Sequence, residues 1–376
     1  MRALYLWRMK KLNSLLALAL SATALVGCDK KADTIKIGLA GVQTGGDGEI
    51  GTAPIRGSEL AILEWNAKGG VLGKQIEIVV RDDEGKPNQA VAVAQELVSA
   101  GVVAVVGHFN SGCTLPASEI YQQAGILQIT PASTNPQVTE RGYSTLFRMC
   151  GRDDQQGVVA ANFAIDTLKA SAIAVVHNKT AYGQGIAEEF KKTIEARGGK
   201  VVLFDGIAGE EMDFRGTIAA IQKAGAQAVY WGGMYNQGGP FYNQLRQGGF
   251  KGAFLGGDGI YDAELIKSVG ASADSIFITF GPDASALPGA QKLAEAYRAK
   301  YNAEPGGYTV YGYDAANVLL SAIEKAGTTE AAKVAEAMRS QPWTTLLGGA
   351  EFDAKGDLKS ANYVIWTQRA GKFAVR

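Results

Sequence analysis

An α/β fold of two doubly wound parallel sheets is predicted by three features of this 376-residue chain. Short apolar runs of strand length alternate with segments of helical apolar spacing, and glycines punctuate the joins. The alternation is interrupted once, at the turn- and charge-rich FRMCGRDDQQG (147–157), and then resumes in the same rhythm. The length also allows two or more domains with their own cores.

In order, the first half reads as follows. IKIGLAGV (35–42) is a buried strand, and APIRGSELAILEWNAKGG (53–70) has helical spacing and a glycine stop. KQIEIVVRDD (74–83) is a strand, and PNQAVAVAQELVSAG (87–101) is a helix with proline at its start. VVAVVGH (102–108) is a strand, PASEIYQQAG (116–125) a helix opened by Pro116, and ILQITPAST (126–134) a strand.

The second half runs helix VVAANFAIDTLKA (158–170), strand SAIAVVHN (171–178), helix GQGIAEEFKKTIEARGG (183–199) and strand KVVLFDG (200–206). Helix DFRGTIAAIQKAG (213–225), strand AQAVYWGG (226–233), helix GGPFYNQLRQGG (238–249) and strand AFLGGDG (253–259) continue it. SIFITFGP (275–282) precedes helices GAQKLAEAYRAKYN (289–302) and YGYDAANVLLSAIEKAG (311–327). Strand-like GGAEFDAKGDL (348–358) and ANYVIWTQRAGKFAV (361–375) close the chain. Two facing lobes of this kind place two sets of strand carboxyl ends around one cleft, the usual ligand position in open α/β sheets.

The 37 basic and 37 acidic residues balance, which gives no footprint for nucleic acid or an anionic membrane. Residues 1–27 carry four of the basic ones, Arg2, Arg8, Lys10 and Lys11, ahead of a short apolar stretch ending in small residues. That is the pattern of a secretory signal, shorter than a membrane span of about 20 residues. Leu25-Val26-Gly27-Cys28 resembles a lipobox, which makes Cys28 a lipidation candidate. Ordinary cleavage after Lys30-Lys31-Ala32 is the alternative. Asp29 resembles an inner-membrane retention signal, and 28–33 reads as a linker.

Gly46-Asp47-Gly48-Glu49-Ile50-Gly51 is a literal G-x-G-x-x-G, the pattern of dinucleotide-binding turns. Asp47 and Glu49 would repel a pyrophosphate. The next acidic pair, Asp82-Asp83, lies 31 residues beyond Gly51 where that motif places its acid about 20 on. The segment is therefore read as a flexible rim loop, and an exported NAD-dependent enzyme is the disfavoured rival.

NAKGGVLGKQIEIVVRDDEGKPNQAVAVAQELV (66–98), VVGHFNSGCTLPASEIYQQAGILQITPASTNPQVTERGY (105–143), FRMCGRDDQQG, AVVHNKTAYGQG (174–185) and FDAKGDLK (352–359) resemble the branched-chain amino-acid-binding proteins of ABC importers, the Leu/Ile/Val-binding type of periplasmic receptor. The likeness runs over about 34 to 360 in one order. It implies a type I periplasmic-binding fold with a three-strand hinge, crossing near Gly151-Arg152, Phe280-Pro282 and Gly356-Leu358. Lobe 1 is then 34–151 plus 281–357, and lobe 2 is 152–280 plus 358–376. It also implies reversible capture of an amino acid without chemistry or cofactor, delivery to permease subunits, and a monomer in the periplasm, touching the membrane only through a lipid anchor. A sensor of the same fold, binding an amide or another small ligand, is the second rival.

The resemblance assigns the site. Ser111, Ala132, Ser133 and Thr134 hold the charged end of the ligand, the carboxylate taking hydroxyls and N–H groups and the ammonium the Ala132 carbonyl. Asp258 meets the ammonium from the second lobe, and Tyr182 closes over the ligand. Phe109, Asn110, Ile50 and Met234 are wall positions. Taken locally, Ser111 and Thr134 also suit helix caps, and Asp258 an Asx turn. Many relatives carry aromatics where Ile50 and Met234 stand. The ligand is therefore left open among branched-chain residues, alanine, threonine, an aromatic residue and an amide. His108 and His177, the two histidines, follow apolar strand runs and read as structural rather than metal-binding. Cys113 and Cys150 are either a disulfide or two buried thiols.

Overall fold

The computed structural model describes residues 33–209, 211–271 and 273–376, and Ile35–Arg376 forms one compact unit. The expected leader, Cys28 and nearly all of the 28–33 linker lie outside the described residues. The first sheet holds β1 (Ile35–Gly41), β2 (Ile76–Asp82), β3 (Ala104–Gly107), β4 (Leu127–Thr130) and β5 (Leu146–Arg148), all parallel in the order β2-β1-β3-β4-β5. The second holds β6 (Ala172–His177), β7 (Lys200–Gly206), β8 (Ala228–Gly232), β9 (Ala253–Gly256) and β10 (Ile276–Phe280). Their parallel order β7-β6-β8-β9-β10 repeats that of the first sheet. At its far edge β11 (Val364–Arg369) and β12 (Lys372–Val375) add antiparallel strands.

Repetition of this order has a functional consequence. Strand connections run opposite ways on either side of β1/β3 and of β6/β8, so each sheet opens a crevice at those carboxyl ends. The inner strands are short, branched and buried, as expected for sheets covered by helices on both faces, whereas the edge strands β2 and β7 are mostly half-buried.

The chain passes between the two sheets three times: after Arg148, after Phe280, and between Leu358 and Val364. Returning from the second sheet, it forms α-helices over Pro288–Tyr301 and Thr309–Ala326, the second of which packs on the helix Gly48–Ala67 that follows β1. Those two helices meet backbone to backbone. A Cβ on Gly57 would lie 2.0 Å from the Thr309 carbonyl oxygen, and one on Gly312 would lie 2.0 Å from that of Pro54. Ser58 Oγ uses the closeness to donate to the carbonyls of Pro54 and Gly312, both at 2.9 Å.

Two local expectations are corrected, and the open choice for the cysteines is decided. The G-x-G-x-x-G segment is not a rim loop, because Gly48, Glu49, Ile50 and Gly51 form the first turn of helix α1 (Gly48–Ala67). Its glycines serve contact: a Cβ on Gly51 would sit 2.2 Å from the Val42 carbonyl oxygen. The helix after β3 opens at Ser111, not Pro116. It runs Ser111–Gln123 with Pro116 inside, five residues in, where the missing N–H removes only one early helical bond. Cys113 and Cys150 are free, buried thiols. Cys113 packs on one side of the first sheet with Ala40, Val93 and Val105, whereas Cys150 belongs to the cluster of Phe109, Ala132 and Tyr182. Burial raises both thiol pKa values, which leaves them unreactive.

Candidate functional site

The carboxyl ends of β3, β4, β6, β8 and β9 converge on a cleft of about 240 Å³ lined by Phe109, Asn110, Ser111, Ala132, Tyr182, Met234, Asp258, Gly259 and Tyr308. Seven of the ten expected binding residues are in this lining. The first half supplies Phe109 to Ser111 and Ala132, and the second supplies Tyr182, Met234 and Asp258.

Ser111 is the first residue of its helix, 1% exposed, and its Oγ accepts the Asn135 N–H at 3.3 Å. A helix start carries N–H groups without intrahelical acceptors and a partial positive charge, so this wall suits an anion. Asp258 begins a short 3-10 turn after β9 and is 3% exposed. Its Oδ1 accepts from Tyr182 Oη at 2.8 Å and Gln156 Nε2 at 3.1 Å, and its Oδ2 from Tyr308 Oη at 2.6 Å. Gln156 Oε1 accepts the Asp258 N–H at 2.7 Å, and Tyr182 Oη that of Gly259 at 2.8 Å. Burial raises the Asp258 carboxyl above its ordinary value, while the two tyrosines and Gln156 pull it back. Burial, then the nearby Asp258 charge, raises both tyrosines far above the usual phenol. Those hydroxyls therefore stay protonated and donate.

Beside Asp258 stands a second buried carboxyl. Asp153, 0% exposed, lies 3.4 Å from the Gln156 amide nitrogen that also serves Asp258. Burial and the Asp258 charge raise it well above its ordinary value. Asp258, raised less and held by three side-chain donors, is the more readily ionised of the two. Among the described residues its partners are neutral donors, an arrangement open to a cationic ligand.

Three expected residues sit elsewhere. Ser133 does not present its side chain to the cleft. Its Oγ donates to the Phe109 carbonyl at 2.9 Å and shares a 2.6 Å bond with Thr114 Oγ1, while its N–H goes to Thr130 Oγ1. Ser133 builds the loop from within. Ile50, 2% exposed, belongs to the apolar cluster of Val42, Phe109 and Met234, outside the lining. Thr134 is also outside it. Its carbonyl accepts the Asp153 N–H at 2.9 Å, and its buried hydroxyl stands beside the Asp153 carboxyl without a bond of ordinary length.

Sequence reasoning assigned no role to Tyr308, Gln156 or Asp153. The last two stand in the FRMCGRDDQQG stretch, whose charge density was the available signal. Tyr308 precedes helix Thr309–Ala326 and reaches Asp258 from 50 residues away; its ring meets Phe109 edge-on, centroids 5.0 Å apart. His108 also has a defined place: Nδ1 pairs with Asp83 Oδ2 at 2.6 Å and Nε2 with Tyr121 Oη at 3.0 Å. Its carbonyl accepts from Thr130 Oγ1 at 2.7 Å, which anchors the β3 and β4 loops to each other.

The sequence profile described as periplasmic binding protein matches residues 34–371. An amino acid binding protein of Pseudomonas aeruginosa is 43% identical over 357 residues, covering 94% of this chain and 95% of that protein. Leu/Ile/Val-binding protein homolog 1 of Brucella abortus is 41% identical, with 94% and 95% covered. Among solved structures, the leucine-binding protein LivK of Thermotoga maritima superposes with a TM-score of 0.84 at 29% identity, over 91% of this chain and 98% of that one. LivJ of Streptococcus pneumoniae in complex with isoleucine gives 0.83 at 29% identity, over 91% and 99%. With two sheets of one strand order, three passages between them and a cleft at their carboxyl ends, the chain belongs to the periplasmic binding protein family.

Proposed function

We propose that this protein captures a free aliphatic or branched-chain amino acid in the cleft and hands it to the permease of an ABC importer. The observation that carries the reading is a buried carboxylate, Asp258, ringed by neutral donors and sharing one small apolar cleft with a helix N-terminus at Ser111. A zwitterion satisfies both ends. Its ammonium pairs with Asp258 and the Ala132 carbonyl, and its carboxylate takes the Ser111 hydroxyl and the N–H groups of the Ser111 and Thr134 segments. Phe109, Met234 and Tyr308 give an apolar wall for the side chain.

The names of the relatives support this ligand class, and the family's extracytoplasmic setting agrees with the leader pattern in residues 1–27. None of the described helices is long and apolar enough to cross a membrane. In this role the two lobes, 34–151 plus 281–357 and 152–280 plus 358–376, close on the ligand about the three passages. The receptor works as a monomer and makes no covalent bond, and Cys28 supplies a lipid anchor at the membrane face.

A thermal-shift panel of the twenty amino acids and NAD tests the reading. Leucine, isoleucine and valine are expected to give the largest increases in Tm. A response to NAD alone, or to none of the amino acids, overturns it.

pH gives a second check. The carboxyls of Asp153 and Asp258 are raised from an ordinary 3.8, and Asp47, Asp262 and Asp314 are raised to about 6, all chiefly by burial. The folded state therefore holds more protons than the unfolded chain between those values and 3.8, so stability falls as pH rises through that window. Asp357 and Glu140, lowered mainly by their Arg and Lys partners, act oppositely, but below their ordinary carboxylate values. Ligand-free Tm is expected to be higher at pH 5 than at pH 7. The increase that leucine adds is expected to be smaller at pH 5, because the ammonium needs Asp258 ionised. Scanning calorimetry with and without leucine at the two pH values reads both signs.

A further inference from the structure

Arg148, the last residue of β5, is fully buried although permanently charged. Its Nε donates to Asp357 Oδ1 at 2.7 Å and its Nη2 to Thr139 Oγ1 at 2.6 Å. Nη1 donates twice, to the carbonyl oxygens of Ser133 at 2.9 Å and Asn135 at 3.1 Å. Asp357 is held in turn by Arg152 Nη1 at 2.7 Å and by Thr139 Oγ1 at 2.9 Å. Burying a guanidinium carries a large desolvation penalty, and apolar residues often stabilise such a place as well. The arrangement is therefore weak as a device for stability alone. What it holds is the loop Ala132–Asn135.

The direction of that hold matters. In a planar trans peptide the C=O and the following N–H point opposite ways. The Ser133–Thr134 bond is trans, so drawing the Ser133 carbonyl onto Arg148 turns the Thr134 N–H away from Arg148. Arg148 is outside the cleft lining, whereas Ala132 and Ser111 are within it. Asn135, whose carbonyl is the second one gripped, donates its own N–H to Ser111 Oγ at 3.3 Å.

Resting on the amino-acid reading of the cleft, we propose that Arg148 is a positioning residue for the ligand carboxylate. It does not touch the ligand. By pulling two carbonyls of the loop from behind, it aims the Thr134 amide and the Ser111 hydroxyl at the negative end of the ligand. Asp357 fixes Arg148 in that pose.

The test separates the carboxylate end from the rest of the ligand. L-Leucine and L-leucinamide both carry an ammonium at pH 6.5, and only leucine has the carboxylate. Kd values for both are measured by calorimetry on the full mature protein, wild type and Arg148→Lys and Arg148→Gln. The lysine keeps the charge and loses the planar fork. The ratio of the two Kd values is expected to narrow by about tenfold or more in both variants, through loss of leucine binding with leucinamide little changed. A merely structural role weakens both ligands equally and leaves the ratio at its wild-type value, which overturns the proposal. Should the Arg148 variants fail to fold, Asp357→Asn, which keeps Arg148 but removes its fixing carboxylate, is read by the same criterion. Asp258→Asn is the reference, weakening both ligands in parallel. If that variant binds leucine like wild type, the reading of the cleft itself fails, whatever Arg148 does.

Discussion

Asp258→Asn is expected to weaken binding of leucine by about 3 kcal/mol or more, on the order of a hundredfold in Kd, because the buried ammonium loses its charged partner. The cost falls on the complex rather than on the fold. In the ligand-free protein Asp258 is a desolvated carboxylate whose pKa is raised, and Tyr182, Tyr308 and Gln156 can still bond to an amide there. Tm without ligand is thus expected to stay near wild type while the ligand-induced increase disappears. Calorimetric titration with leucine measures the first quantity and thermal unfolding the second. A variant that binds within about threefold of wild type removes Asp258 from the site and the proposed ligand class with it.

Gly356→Ala is expected to destabilise the protein by about 3 kcal/mol or more, combining backbone strain with a steric clash. Gly356 has φ +94°, and a Cβ there would lie 2.1 Å from the Leu146 carbonyl oxygen and 3.2 Å from the Phe147 Cα. Neither neighbour is the end of a flexible side chain; both belong to β5. Relief requires the turn Asp353–Asp357 to lift away from the strand, breaking the 2.9 Å bond from the Arg148 N–H to the Gly356 carbonyl and drawing Asp357 off Arg148 and Arg152. Gly349→Ala serves as the control, since a Cβ there meets nothing within 4 Å and the residue has no positive φ. Thermal unfolding of the two variants side by side reads the difference. Equal Tm values show that the turn is not tied to the strand.

How far the sequence revealed all this depended on whether the signal was local. The strands of both sheets are branched apolar runs whose burial the residues themselves dictate. The helices Pro87–Ala100 and Pro288–Tyr301 begin at prolines, which mark first turns. Helix starts set by contact were missed: Gly48 and Gly51 read as loop because the reason for them, the approach of the Val42 and Gln43 carbonyls, lies in another segment. Pro116 misled for a related reason, since a proline five residues into a helix looks like its beginning.

The site divided along the same line. Tyr182 and Ser111 came from matched stretches and Asp258 from the end of a strand, and all three line the cleft. Which hydroxyl of the Thr130–Thr134 loop faces it was beyond sequence, because an irregular loop has no period from which to read a face. Ser133 turned inward, and the Thr134 hydroxyl stands beside the Asp153 carboxyl. Tyr308 and Gln156 reach Asp258 across 50 and 102 residues of chain, a relation that only the fold creates.

On the proposed reading, Asp258 and Ser111, which follow strands of separate sheets and line one cleft, select a ligand by the spacing of its two charges. That spacing suits a molecule whose opposite charges are one carbon apart. A β-amino acid carries an extra methylene between them, and a peptide or an N-acylated residue has one end masked or displaced. Each of these leaves one of the two walls facing the wrong group. On the proposed reading, uptake through this receptor is confined to single, unmodified residues, and any larger nutrient has to be hydrolysed before it becomes cargo.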